Sequence, residues 1–250
     1  MAEIVTVKLN NGAKMPVVGF GLAADETMIA NGAAPVDHFK ASVLEAIKVG
    51  YRAFDTASFY FTEGVLGDSL KEAFELGLVS RHEVFVTSKL WCTECYPEDV
   101  IPALKKSLEA LKLEYLDLYL IHLAVALKKG VTYASITPDD TVAMDIQGVW
   151  KAMEECVELG LTRAIGVSNF SCKKIEDLLA FSKIPPAVNQ VEMHPVWQKK
   201  KLREYCNSVN VHVSAWSPLG GPGSSWGSTH TLDNPIINDI ATKHAKTPAQ

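Results

Sequence analysis

Four ionisable residues stand at or just beyond the ends of apolar runs, in an arrangement suited to proton transfer. Asp55 closes Arg52-Ala53-Phe54-Asp55-Thr56-Ala57, and Tyr60 follows it. Lys89 ends Val84-Phe85-Val86-Thr87-Ser88-Lys89, and His122 ends Leu116-Asp117-Leu118-Tyr119-Leu120-Ile121-His122. An unperturbed tyrosine, with a pKa near ~10, is a poor acid–base at neutral pH. A close lysine cation favours the phenolate and lowers that value, while a carboxylate keeps the lysine charged and in place. His122 is then placed to donate a hydrogen bond to a carbonyl oxygen beside Tyr60. Such a set can protonate an oxygen while a hydride arrives at the neighbouring carbon. Taken singly, His122 reads more simply as a hydrogen-bonded core histidine and Lys89 as a snorkelling cation. Delivery of all of them to one rim by successive strands argues for a site.

The elements that must position them alternate along the chain. Strand-like apolar runs fall at 17–22, 52–56, 84–90, 116–122, 163–167, 187–193 and 211–216. Helical periodicity covers 38–49, 63–76, 98–112, 147–159, 171–181, 199–207 and 236–245, with Ser171 as an N-cap and Gly77 and Gly160 as stops. Before them, residues 5–18 read as a hairpin around Asn10-Asn11-Gly12. Repeated strand–helix units imply parallel strands joined by right-handed crossovers. A doubly wound sheet and a (β/α)8 barrel both fit that pattern. In a barrel, the C-terminal strand ends carry the active site, which is where Asp55, Lys89 and His122 lie. Residues 1–250 are expected to form one domain, with seven strand–helix units over about 17–250 where a barrel needs eight.

Composition narrows the function. The chain has 250 residues, 48% hydrophobic and 21% charged, which excludes disorder, collagen and a small disulfide scaffold. Its net charge of −5 argues against a nucleic-acid partner, since Lys199-Lys200-Lys201 with Arg203 is too short a basic cluster. No run approaches a membrane span, and the N-terminus alternates like a strand without a signal-peptide core. Five cysteines fit a reducing compartment, so a cytoplasmic location is expected. Trp91-Cys92-Thr93-Glu94-Cys95 mimics a redox motif, although two thiols in a loop is the simpler reading. Gly19-Phe20-Gly21 lacks the third glycine of a dinucleotide loop, and Gly220-Gly221-Pro222-Gly223 lacks a phosphate-binding lysine. Neither a zincin motif nor a nucleophile elbow is present, and no metal is expected.

Four segments together resemble the aldo-keto reductases: Gly50-Tyr51-Arg52-Ala53-Phe54-Asp55-Thr56-Ala57, Ser88-Lys89-Leu90-Trp91, residues 115–122, and Gly166-Val167-Ser168-Asn169-Phe170. Residues 149–172, 186–193 and 198–206 are similar to the plant branch that includes chalcone (polyketide) reductases, codeinone reductase and methylecgonone reductase. The resemblance implies a (β/α)8 barrel that reduces an aldehyde or ketone with NADPH and acts as a monomer. It casts Tyr60 as proton donor with Asp55, Lys89 and His122 as partners. Ser168, Asn169 and Gln190 would hold the nicotinamide carboxamide, with Asp55 also on the cofactor side. Trp216 would stack on the ring where the family usually has tyrosine, either aromatic serving. Ser217 and Leu219 follow on the pyrophosphate side, and Gly21 and Leu22 form the backbone stretch beside the cofactor. Trp91, Leu123 and Trp226 are the expected substrate-pocket residues, suited to a large planar or polycyclic carbonyl compound. Leu123-Ala124 replace the family's usual Trp-Pro after the histidine, which should widen the pocket. The family's last strand–helix unit, with its Lys/Ser/Arg cluster for the adenosine 2′-phosphate, has no counterpart here. That departure leaves a truncated or non-catalytic barrel as the alternative.

Overall fold

Each apolar run read from the sequence forms a strand. The computed structural model describes residues 4–23, 36–132, 136–224 and 227–250. An N-terminal hairpin pairs β1 (Thr6–Lys8) with β2 (Lys14–Pro16). Then follow β3 (Gly19–Gly21), β4 (Ala53–Asp55), β5 (Phe85–Leu90), β6 (Leu118–Ile121), β9 (Ile165–Ser168), β10 (Val188–Glu192) and β11 (His212–Trp216). These seven join in one parallel sheet in the order β11-β10-β9-β6-β5-β4-β3. The order follows the chain without reversal. A doubly wound sheet would reverse direction at a switch point, so the sequential winding is that of a (β/α)8 barrel. Among the described residues β3 and β11 are the ends of the sheet, each paired on one side only.

Helices follow the strands: α1 (Val36–Val49), α2 (Glu63–Glu75), α3 (Pro97–Leu111), α4 (Ile146–Glu158), α5 (Cys172–Leu179), α6 (Lys200–Ser208) and α7 (Pro235–Lys243). In α3 the buried Val100, Leu104, Leu108 and Leu111 make one stripe, and Pro97 opens the first turn where its missing N–H is harmless. The Ser171 hydroxyl caps α5 by accepting the Lys174 N–H at 3.3 Å. Between β6 and α4 a two-residue pair, β7 (Ala126–Leu127) with β8 (Thr141–Val142), was not foreseen. Two residues are too few to show a period.

The main core lies between sheet and helices, with all six residues of β5 buried. A second, smaller core fills the barrel interior: Ala53, Phe85, Leu118, Leu120, Ala164 and Val188, with Leu9 of the hairpin. The hairpin closes that end, and the Asn10 and Asn11 side-chain amides donate to Pro186 O and Arg163 O. Gly166 is needed for close packing, because a Cβ there would meet Val188 O at 2.5 Å. No described helix is long and apolar enough to cross a membrane.

Candidate active site

Parallel pairing is staggered by two residues at each step, with Asp55 opposite Thr87 and Lys89 opposite Leu120. That stagger follows the tilt of barrel strands, so Asp55, Lys89 and His122 all reach one rim. Tyr60 comes from a short 3-10 turn, Ser58–Tyr60, tied down where Ser58 Oγ donates to Lys89 O at 3.2 Å. Lys89 is fully buried, and an unpaired ammonium could not remain charged there. It donates to Asp55 Oδ1 at 2.5 Å and to Thr56 O at 2.9 Å. Its remaining reach is to the Tyr60 hydroxyl, 3.5 Å away. Burial lowers the Lys89 pKa, but Asp55 and Tyr60 together raise it further, and it lies above the ordinary lysine value. Lys89 is therefore a cation at neutral pH.

His122 Nε2 lies 3.3 Å from the same hydroxyl. Burial, and then the Lys89 cation, push its pKa down to about 3, so the ring is neutral. Its Nδ1 is buried without a partner among the described residues. A bare lone pair is cheaper to leave unpaired than an N–H, which places the proton on Nε2. The expectation of a lowered tyrosine pKa is overturned. Burial raises the Tyr60 pKa more than Lys89 lowers it, with Asp55 adding to the rise. Tyr60 is thus held protonated.

The other half of the rim carries amides and hydroxyls. The Gln190 side-chain amide donates to Asp55 Oδ2 at 2.8 Å. Ser168 Oγ donates to Gln190 O, and Asn169 Nδ2 donates to His122 O at 3.1 Å and to Ser168 Oγ at 3.0 Å. Trp216, partly buried, donates its indole N–H to Asn169 Oδ1 at 3.0 Å. Ser217 turns the chain at φ 47°, leading to the exposed Leu219. Gly21 lies at the rim on β3 and pairs with Asp55, while Leu22 is buried and its carbonyl accepts from Thr62 Oγ1. Donors and acceptors of this kind fit a carboxamide, which has one acceptor oxygen and one donor amine. The amide-bearing half therefore suits a nicotinamide group.

Of the pocket residues, Trp91 stacks on Phe59 with ring centroids 3.7 Å apart and meets the His122 ring edge-on at 5.1 Å. Leu123 is partly buried beside His122, and Trp226 lies outside the described residues. Two participants escaped the sequence. Phe59 carries no signal apart from its stacking partner. Glu63 is buried and accepts from the hydroxyl of Ser88, the residue before Lys89, at 2.5 Å, and burial raises its pKa. A glutamate opening a helix ordinarily reads as exposed. Cys92 and Cys95 are buried, with Cys92 pushed up to about 12 and Cys95 also raised by burial. Neither is a thiolate, so the redox reading fails.

A parallel barrel with a tyrosine, a lysine–aspartate pair and a neutral histidine on one rim defines a carbonyl-handling oxidoreductase site. Residues 18–249 match the aldo/keto reductase family, and the chain belongs to that family. It is 54% identical to a Citrus sinensis (1S)-1,7-diacetoxy-luvungin A aldo-keto reductase, covering 94% of this chain and 72% of that protein. It is 50% identical to an NADPH-dependent codeinone reductase of Papaver somniferum, over 98% of this chain and 74% of that one. Among solved structures, a Bombyx mori aldo-keto reductase in complex with NADP superposes with a TM-score of 0.87 at 35% identity. That match covers 99% of this chain and 78% of the insect protein.

Proposed function

We propose that the chain is an NADPH-dependent reductase acting on a ketone or aldehyde of a bulky plant-type secondary metabolite, with Tyr60 as proton donor. The carrying observation is that the Tyr60 hydroxyl lies within reach of both Lys89 Nζ and His122 Nε2. Both neighbours donate to the phenol oxygen, so its own proton is directed away from them, towards an incoming carbonyl. Once that proton leaves, the phenolate forms beside a fixed ammonium, where its charge is stabilised. Asp55 keeps the ammonium in position, and the neutral His122 adds a donor next to the same oxygen. Bound NADPH would supply the hydride to the carbonyl carbon.

Ser168, Asn169 and Gln190 would hold the carboxamide, and Trp216 would lie against the ring. Gly21, Leu22, Ser217 and Leu219 would border the rest of the cofactor. Trp91 and Leu123 would line the substrate side. The names of the plant relatives support the substrate class, as does an aliphatic residue at 123. We read residues 1–250 as one barrel domain, monomeric and cytoplasmic. The free, buried thiols support a reducing compartment. Every proton-handling group is in bonding reach, so no observation favours a non-catalytic barrel.

The test is NADPH oxidation with chalcone-type polyketides, alkaloid ketones, steroid ketones and sugar aldehydes, by the native chain and by Tyr60→Phe. Turnover of at least one polycyclic ketone is expected, with a loss of about 10²–10⁴-fold in the variant. Undiminished turnover by Tyr60→Phe would show that another group donates the proton. Turnover of sugar aldehydes alone would overturn the substrate class.

A further inference from the structure

An indole N–H can only donate, and a backbone carbonyl can only accept. Asn169 sits between one of each: Trp216 Nε1 lies 3.0 Å from its Oδ1, and His122 O lies 3.1 Å from its Nδ2. The two partners impose the same amide orientation, and reversing the amide would break both bonds at once. The backbone of Asn169 is equally constrained, since it turns through the left-handed region at φ 64° while its N–H donates to Gln190 O. A tyrosine or phenylalanine at 216 offers a flat ring but no indole N–H. The two aromatics are therefore not interchangeable here, contrary to the expectation from stacking alone.

We propose that Trp216 is a positioning residue, whose indole N–H fixes the Asn169 amide and through it ties the β11 end of the rim to the backbone of His122. This rests on the cofactor reading above, in which Asn169 faces the nicotinamide carboxamide. Asn169 then presents one orientation to that group before it arrives. An amide that must find its orientation on binding loses affinity to the lost freedom.

A double-mutant cycle in the full chain tests this, using Trp216→Phe, Asn169→Gly and the pair. Glycine tolerates the left-handed backbone that alanine would strain. NADPH affinity is read by titration of nicotinamide fluorescence. Trp216→Phe should weaken NADPH about tenfold in the native background and less than about twofold in the Asn169→Gly background. Equal weakening in both backgrounds would assign Trp216 to ring stacking alone and overturn the proposal. A second readout needs no cofactor: the indole N–H resonance of Trp216, assigned by its loss in Trp216→Phe. In Asn169→Gly it should shift and exchange with solvent at least about tenfold faster. An unmoved resonance overturns the proposal whatever the titration shows. Failure of the unaltered chain to bind NADPH would instead overturn the cofactor reading, and the resonance would still decide whether the bond exists.

Discussion

The Gln190 side chain donates to one carboxylate oxygen of Asp55, while the Lys89 ammonium occupies the other. One anion thus serves two cradles, the cation beside Tyr60 and the amide group across the rim. Substitution Asp55→Asn leaves a single oxygen for two donors, so one donor must face an N–H. Lys89 is fully buried, and Asp55 is partly exposed. The expected loss of stability is therefore near the low end of the ~3–5 kcal/mol seen when a buried pair is broken. Urea unfolding measures it, and an unchanged midpoint would mean that Lys89 has found another anion.

The depressed pKa of His122 makes folding sensitive to acid. Between its ordinary value of 6.5 and about 3, the unfolded chain takes up a proton at this residue that the folded chain refuses. Stability attributable to His122 is whole above that window and falls as pH drops through it, by at most ~1.4 kcal/mol per unit. The substitution His122→Gln removes this term. The stability gap between native and variant chains should narrow from about pH 7 to about pH 5 in urea titrations. A constant gap would show that the folded ring does take up the proton.

Thiol chemistry follows burial. Cys172 is partly exposed, whereas Cys92 and Cys95 are buried with raised pKa values. Iodoacetamide applied to the folded protein should label Cys172 first and leave Cys92 and Cys95 unmodified until urea is added. Peptide mapping by mass spectrometry checks this. Labelling of Cys92 in the native state would reopen a redox role.

Leu123 lies next to His122 in the sequence and is partly buried at the rim. A tryptophan there fills space that an aliphatic side chain leaves open. Leu123→Trp is expected to lower kcat/KM for a polycyclic ketone by about tenfold or more, while a small aldehyde changes less than about threefold. Parallel losses for both would place residue 123 away from the substrate.

Much of the positioning was legible because strand ends are local. An apolar run that stops at Lys89 or His122 marks its own rim position, and the seven runs fell on the seven strands of the sheet. Bonds spanning the barrel were not legible. Gln190 meets Asp55 across 135 residues, and Phe59 reaches Trp91 by side-chain placement alone, with no sequence period to announce either. The direction of the Tyr60 shift is not legible in the sequence for a related reason. A neighbouring cation can be named from the sequence, but the depth of burial that outweighs it is a property of the whole fold.

The hydrogen-bond ladder also divides the rim mechanically. Lys89 and His122 stem from β5 and β6, buried throughout and flanked on both sides. Trp216 stems from β11, none of whose residues is fully buried and which, among the described residues, pairs on one side only. Amide exchange should accordingly be slower at β5 and β6 than along β11. Lys89 and His122 are thus mounted on stiff scaffolding, whereas Tyr60 sits on a short turn beside it and the aromatic end of the rim on a pliant margin.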